Sequence, residues 1–119
     1  MSGRPGPVGA WLRAARPLAH ANIAPPIALG MAFAHALRSE FSVRMAAVGF
    51  GFGVLNHLGI VFMNDLADRE TDAMAQTRTP FSGGSRVIPD GLITASALRN
   101  AAITVSVLLL LGSAVAGWA

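Results

Sequence analysis

A row of polar residues follows the second long apolar segment of this sequence, over 64–72, which reads NDLADRETD. On a helix that turns about 100° per residue, four of them fall within about a quarter of the circumference: Asn64, Asp65, Asp68 and Asp72. Carboxylates this close repel one another unless a cation lies between them, and such oxygens suit Mg²⁺, which also accepts phosphate oxygens. The pattern therefore predicts a magnesium site for a diphosphate-bearing substrate. The alternative is that these acids only solvate the end of a helix.

A loop rich in glycine and serine follows, over 77–91, which reads TRTPFSGGSRVIPDG. Its adjacent glycines let backbone N–H groups approach an anion closely, Ser82 offers a hydroxyl donor, and Arg78 and Arg86 carry planar guanidinium groups that suit phosphate. The loop lacks the spacing of a nucleotide-binding P-loop. Taken alone it is a flexible turn, whereas beside a magnesium site we expect it to bind an anion.

Two further polar residues lie inside the apolar segments. His57 falls on the helical face of the aspartates, about two turns deeper, where it either contacts a polar substrate ring or is a buried histidine bonded to a helix carbonyl. Asn22 is either a substrate contact or a hydrogen-bonding link between helices. The serines lack a nearby histidine, and the histidines lack zinc-type spacing, so neither serine hydrolysis nor zinc binding is predicted.

Three apolar segments must position these residues. Of the 119 residues, 53% are hydrophobic and only 13% are charged, which leaves too few charges to solvate a lone soluble domain. Three uncharged runs each contain about 20 residues, the length of helix that crosses a bilayer core. We therefore predict an all-α integral membrane protein with three transmembrane helices, at about 17–37, 45–64 and 100–119. The Pro25-Pro26 pair should kink or interrupt the first of them.

The arginines predict the orientation of the chain. All nine basic residues are arginines, and they lie between the apolar segments rather than on one stripe, which argues against nucleic-acid binding. Most of them precede the first predicted helix or lie in 64–99, so the positive-inside rule places the N-terminus and that loop in the cytoplasm, as expected for a bacterial plasma membrane. A signal peptide is the alternative for the first apolar run, but the run is too long and too interrupted for one.

The segment 64–72 resembles the first aspartate-rich motif, N-D-x-x-D-x-x-x-D, of the UbiA superfamily of intramembrane aromatic prenyltransferases. Its setting at the end of the second predicted helix, before a glycine turn, is similar as well. The stretch from Arg78 to Arg86, RTPFSGGSR, looks most like the dihydroxynaphthoate prenyltransferases of menaquinone biosynthesis, and Arg16-Pro17 is also similar. The resemblance covers the whole chain, 1–119, but only the N-terminal third of a family member.

The resemblance implies an enzyme, a membrane transferase that moves a polyprenyl group from polyprenyl diphosphate to an aromatic acceptor in quinone biosynthesis. Mg²⁺, held by the three aspartates with Asn64 beside them, would neutralise the diphosphate, and Arg78 and Arg86 would contact it. Family members have further helices and a second aspartate-rich motif. We therefore expect the 119-residue chain to be one part of a larger helical bundle, inactive alone unless a C-terminal part or a homo-oligomer completes it.

Two other functions remain open at the level of the sequence. The first is a small non-catalytic membrane protein whose cytoplasmic loop docks another protein or binds anionic lipid head groups. The second is a cation-conducting oligomer lined by the aspartates, which is less favoured because the acids lie at a helix end.

Overall fold

The computed structural model describes residues 3–74 and 84–117, which form helices joined by short turns. The elements, in chain order, are α1 (Pro7–Ala15), a 3-10 helix (Pro17–Asn22), α2 (Ala24–Arg38), α3 (Val43–Ala67), α4 (Arg69–Met74) and α5 (Ala95–Gly117). The described ranges contain no strand, which confirms the predicted all-α class. Two residues named in the sequence analysis, Arg78 and Ser82, lie outside the described residues.

The two long helices begin at residues that cap them with a hydroxyl group. Ser42 Oγ accepts a hydrogen bond from the backbone N–H of Met45 at 3.2 Å, and Thr94 Oγ1 accepts one from Ala97 at 3.2 Å. The capped helices, α3 with 25 residues and α5 with 23, are long and apolar enough to cross a membrane, and most of their apolar side chains are uncovered by the rest of the described chain. They match the helices predicted at 45–64 and 100–119, although each begins earlier.

The first predicted helix, over 17–37, is interrupted, as the Pro25-Pro26 pair predicts. The structure divides this segment into the 3-10 helix and α2, and the 15 residues of α2 would extend only about 22 Å, less than the thickness of a bilayer core. Pro25 and Pro26 explain the division, because proline has no N–H to donate and is tolerated in the first turn of a helix but not in its interior. Of the three predicted spans, the described residues therefore contain two helices of membrane length.

The helices pack around a small core at one end of α3. The α3 helix packs against α5 and against α1, whose Trp11 ring is in an edge-to-face contact with Phe62 at 6.1 Å between centroids. The buried apolar residues come from α1, the C-terminal half of α3, the turn before α5 and the first half of α5: Ala10, Ala14, Val61, Phe62, Val87, Ile93, Leu98, Ala102 and Val105. The core thus lies beside the segment that carries the acids.

A glycine brings α2 close to α3. A Cβ atom at Gly53 would lie 2.8 Å from Cδ1 of Ile27 and would also overlap with the side chain of Ile23. The absence of a side chain at this position therefore sets the distance between the two helices.

Candidate functional site

The predicted row of acids does not lie on one continuous helix. The α3 helix ends at Ala67, Asp68 adopts φ −89° and ψ 4°, and α4 begins at Arg69. Backbone hydrogen bonds from Asp68 to Asn64 and from Asp72 to Asp68, both 2.8 Å, continue across this joint. Asp65 is buried whereas Asn64 and Asp68 are exposed, so the four residues share a face less closely than the helical wheel predicts.

Asp65 is the centre of a polar cluster that joins three distant segments. Its side chain is buried, with the whole residue 4% exposed. The guanidinium of Arg16, which follows α1, forms an ion pair with one carboxylate oxygen. Ser85, in the turn before α5, donates its hydroxyl to the other oxygen and its backbone N–H to the first at 3.2 Å. A charged residue is buried favourably only when it is paired and hydrogen-bonded in this way.

Asp72 lies against the glycine turn. A Cβ atom at Gly84 would overlap with the Asp72 carboxylate, and the φ of Gly84 is +65°, so this position requires glycine on two grounds. The guanidinium of Arg86 donates a hydrogen bond to the backbone carbonyl of Asp72. Burial and the negative charges of Asp65 and Asp68 raise the pKa of the Asp72 carboxyl, although Arg16 and Arg86 oppose this shift. The two neighbouring acids therefore disfavour the charged form of Asp72.

Asp90 links the turn before α5 to α1 and to the residues that precede it. Its carboxylate pairs with Arg13 at 2.5 Å and with Nε of Arg86 at 3.6 Å, and its backbone carbonyl accepts a hydrogen bond from Arg4 at 3.2 Å. Because one acid contacts arginines from both segments, it fixes the position of Arg86 relative to α1.

His57 and Asn22 lie apart from the acids. The His57 ring, on α3, is in edge-to-face contact with the ring of His20, with centroids 4.4 Å apart, and His20 Nδ1 is 3.3 Å from the carbonyl oxygen of Arg16. Nε2 of His57 is buried and has no hydrogen-bond partner among the residues that the structure describes. Asn22 ends the 3-10 helix with an exposed side chain.

The structure therefore brings together part of the predicted site. Asp65, Asp72 and Arg86 converge, Asn64 and Asp68 lie at an exposed edge of the cluster, and Arg78 and Ser82 fall outside the described residues. Sequence reasoning did not assign a role in the site to four residues that the structure places there: Arg13, Arg16, Ser85 and Asp90. The role of Arg16 could have been predicted from its position next to an apolar segment, because a cation there needs an acidic partner from elsewhere in the chain.

The chemistry of the donors fits Mg²⁺, but their arrangement fits it only in part. Carboxylate oxygens are suitable ligands, and the pKa of Asp72 is raised by burial and by the negative charges of Asp65 and Asp68, which a cation would offset. Within residues 3–74 and 84–117, however, no group of three acidic or histidine side chains is close enough to hold a metal ion. Asp65 is already engaged by Arg16 and Ser85. This leaves Asp68 and Asp72 as the available donors.

Comparisons with known proteins give no match: no family model, no curated protein and no solved structure is similar to this chain. Its function is therefore argued from the site alone.

Proposed function

We propose that this chain forms the diphosphate-binding part of a UbiA-type prenyltransferase. In this proposal a polyprenyl group passes from polyprenyl diphosphate to an aromatic acceptor of the dihydroxynaphthoate class, in quinone biosynthesis. The observation that carries the proposal is the convergence of Asp65, Asp72 and Arg86 at one end of two helices of membrane length. Acids that attract a cation and arginines that attract an anion are the groups that a metal-bound diphosphate requires.

The distribution of arginines supports a cytoplasmic position for this end of the molecule in a bacterial plasma membrane. Polyprenyl diphosphate has a charged head and a long apolar tail, so its head would meet the acids while its tail entered the bilayer. The reaction chamber would be completed by further helices or by a second copy of the chain.

The described residues have distinct roles on the donor side of this reaction. When bound by Asp68 and Asp72, with Asp65 contributing if it leaves its arginine, Mg²⁺ would supply positive charge that stabilises the diphosphate leaving group. Arg86 is held by Asp72 and Asp90, so its guanidinium is oriented before an anion arrives. Gly84, which has no Cβ atom, allows the Asp72 carboxylate to lie directly against the turn.

On the acceptor side, His57 is the residue that we assign. Its Nε2 atom is buried without a partner among the described residues, and a buried polar atom of this kind gains most from a hydrogen bond to a ligand. A phenolic hydroxyl group on the acceptor ring would provide that bond. Asn22, exposed at the end of the 3-10 helix, remains a proposed substrate contact without a second observation.

The test is the binding of a polyprenyl diphosphate to the purified chain in detergent, measured by calorimetry with and without Mg²⁺. Asp68→Asn removes an exposed carboxylate at the joint between α3 and α4, and we expect it to weaken the Mg²⁺-dependent binding at least about tenfold. Glu70→Gln is the matched control, because Glu70 is also exposed and its carboxylate pairs with Arg69 instead. Asp65 is unsuitable for this test, since its loss would also break the buried cluster.

The outcome distinguishes this proposal from a non-catalytic docking loop. A docking loop that binds anionic lipid head groups would bind the diphosphate weakly, without Mg²⁺, and equally in both variants. If binding is independent of Mg²⁺, or if Asp68→Asn and Glu70→Gln behave alike, the prenyltransferase proposal is wrong.

A further inference from the structure

The helix α1 carries large apolar side chains on the face that the rest of the described chain leaves uncovered. Its buried face consists of Ala10 and Ala14, which pack into the core. On a helix that turns about 100° per residue, Val8 and Leu12 fall on the opposite side, and they are 74% and 58% exposed. Trp11 lies between the two faces and is partly exposed. A helix whose outer face met water would carry polar residues there.

Exposed apolar side chains also surround the place where α1 meets α3. Trp11 contacts Phe62, and Ile60 and Met63, close to Phe62 on α3, are both exposed. Leu18, which follows α1 in the 3-10 helix, is exposed as well. The outer face of α1 is therefore continuous with the apolar surface of a helix of membrane length.

The position of α1 along α3 matches the edge of a bilayer core. Phe62 lies two residues before Asn64, which begins the polar segment at the end of α3, so the contact with Trp11 places α1 near that level. Tryptophan is enriched where the apolar core of a membrane meets the head groups. The nine residues of α1 extend only about 14 Å, too short to cross the core. The left-handed backbone of Arg16, with φ 48°, ends the helix and turns the chain.

The charge of the N-terminal segment suits the head groups of phospholipids. The first 16 residues contain three arginines and no acidic residue. Arg13 lies on the flank of α1, between its buried and its uncovered faces, and pairs there with Asp90. The helix thus combines an apolar outer face with a basic edge, which is the pattern of a helix that lies in a membrane interface.

We infer that α1 is an interfacial helix whose outer face, Val8 and Leu12, lies in phospholipid at the boundary between the head groups and the acyl chains. The inference rests on the membrane position given under the proposed function but not on the chemistry proposed there. The alanine face holds α1 against α3, and the arginines lie at the level of the head groups. The lipid replaces the water that would otherwise contact the apolar outer face.

The test uses spin labels in the full chain, which contains no cysteine, so that each introduced cysteine is the only one. The chain is reconstituted in vesicles of phosphatidylcholine and phosphatidylglycerol. Electron paramagnetic resonance then measures the collisions of the label with oxygen, which enters the acyl layer, and with a water-soluble nickel chelate. Three exposed positions are compared: Leu12→Cys on α1, Val54→Cys near the middle of α3 and Glu70→Cys on α4. We expect the label at residue 12 to lie about 5–10 Å below the head groups, shallower than the label at 54, with the label at 70 in water.

A second comparison removes apolar area from the same face. The label is placed at Val8→Cys, and Leu12→Gln is added. Burial favours a leucine side chain by about tenfold or more, so the collisions of the label with the nickel chelate should rise at least about twofold. Leu37→Gln is the matched control and should leave them unchanged. Leu37 is also exposed, but it lies in the last turn of α2, where His35 lines the same groove as Ala46 of α3.

Three results would refute the inference. A label at residue 12 that meets the chelate as freely as the label at 70 would place the outer face in water, and one as deep as the label at 54 would place α1 inside the bilayer core. A label that neither reagent reaches would show that protein covers the face, either a second copy or further helices. Equal effects of Leu12→Gln and Leu37→Gln would contradict it as well.

The measurement needs neither Mg²⁺ nor diphosphate, so it separates the two proposals. If the label at residue 12 lies at the boundary but no polyprenyl diphosphate binds, the interfacial helix is supported and the proposed function fails. If the diphosphate binds with Mg²⁺ while the label at 12 is in water, the proposed function stands and the interfacial helix is refuted. If the label at 54 is in water, the chain does not enter the bilayer and both proposals are wrong.

Discussion

Replacing Gly84 with alanine tests the contact between the glycine turn and Asp72. The backbone of Gly84 has φ +65°, where an L-residue costs about 1–2 kcal/mol relative to glycine. The added Cβ would also overlap with the Asp72 carboxylate and lie 3.3 Å from Nη2 of Arg16. Moving packed groups to relieve such an overlap costs about 1–3 kcal/mol more. We therefore expect Gly84→Ala to lower the free energy of unfolding by about 2–5 kcal/mol.

Gly91→Ala is the matched control for this substitution. Gly91 has nearly the same backbone conformation, with φ +64°, but a Cβ there would meet only Nη2 of Arg4, at 3.5 Å, an ordinary contact distance. Gly91→Ala should therefore lower the free energy of unfolding by about 1–2 kcal/mol, the cost of placing an L-residue in this backbone conformation. The difference between the two variants isolates the overlap at Asp72, because the effect of alanine on the unfolded chain is the same in both.

The assay is denaturant-induced unfolding in detergent micelles, followed by circular dichroism at a fixed detergent concentration. If Gly84→Ala and Gly91→Ala lose equal stability, Asp72 does not pack against Gly84 and the site geometry described above is incorrect. A second readout is the Mg²⁺-dependent diphosphate binding of the proposed function, which should weaken more in Gly84→Ala, because only there is the Asp72 carboxylate displaced.

Three further predictions use the same unfolding assay. Gly53→Ala should lower the free energy of unfolding by about 1–3 kcal/mol, because its Cβ would lie 2.8 Å from a side-chain carbon of Ile27. Gly51→Ala is the control, since a Cβ there would have nothing within 4 Å, and it should leave stability unchanged or raise it. Equal effects of the two substitutions would contradict the close packing of α2 on α3. The pKa of Asp72 is raised in the folded state, so its contribution to stability is complete below its unfolded pKa of about 3.9 and is lost as the pH rises through the folded pKa. Asp72→Asn should remove this part of the pH dependence of the free energy of unfolding. If the variant and the wild type have the same pH profile, the prediction is wrong. Asp90→Asn should lower the free energy of unfolding by about 1 kcal/mol, because it weakens the ion pairs of Asp90 with Arg13 and Arg86. A free energy of unfolding equal to that of the wild type would disprove this prediction.

The long helices and the interruption of the first could be predicted from the sequence, but the form of the interruption could not. An uncharged run of about 20 residues is itself the physical property that makes a helix of membrane length, so α3 and α5 follow from composition alone. Proline has no backbone donor, so Pro25 and Pro26 predict a break in 17–37. Hydropathy does not show that the residues before them form a 3-10 helix, which leaves α2 with 15 residues.

The acids of the site could also be predicted, but their partners could not. The spacing of Asp65 and Asp72 follows from the helical period, a local property of the chain. The bond between Arg16 and Asp65 joins residues 49 positions apart, and no periodicity reports such a contact. The helical wheel also assumed one continuous helix through 72, whereas α3 ends at Ala67 and α4 begins at Arg69.

The burial of Asp65 is explained by its position beside the apolar core, since Val61 and Phe62 precede it on α3 and are buried. Val87 and Leu98, both completely buried, follow Ser85 in the turn and in α5, so the Asp65 carboxylate is shielded from solvent although the Arg16 side chain is 31% exposed. Breaking the ion pair without replacing it would leave a buried charge on Asp65, which costs far more than the loss of an exposed pair. The hydrogen bonds from Ser85 to the same carboxylate should therefore keep the turn against α3.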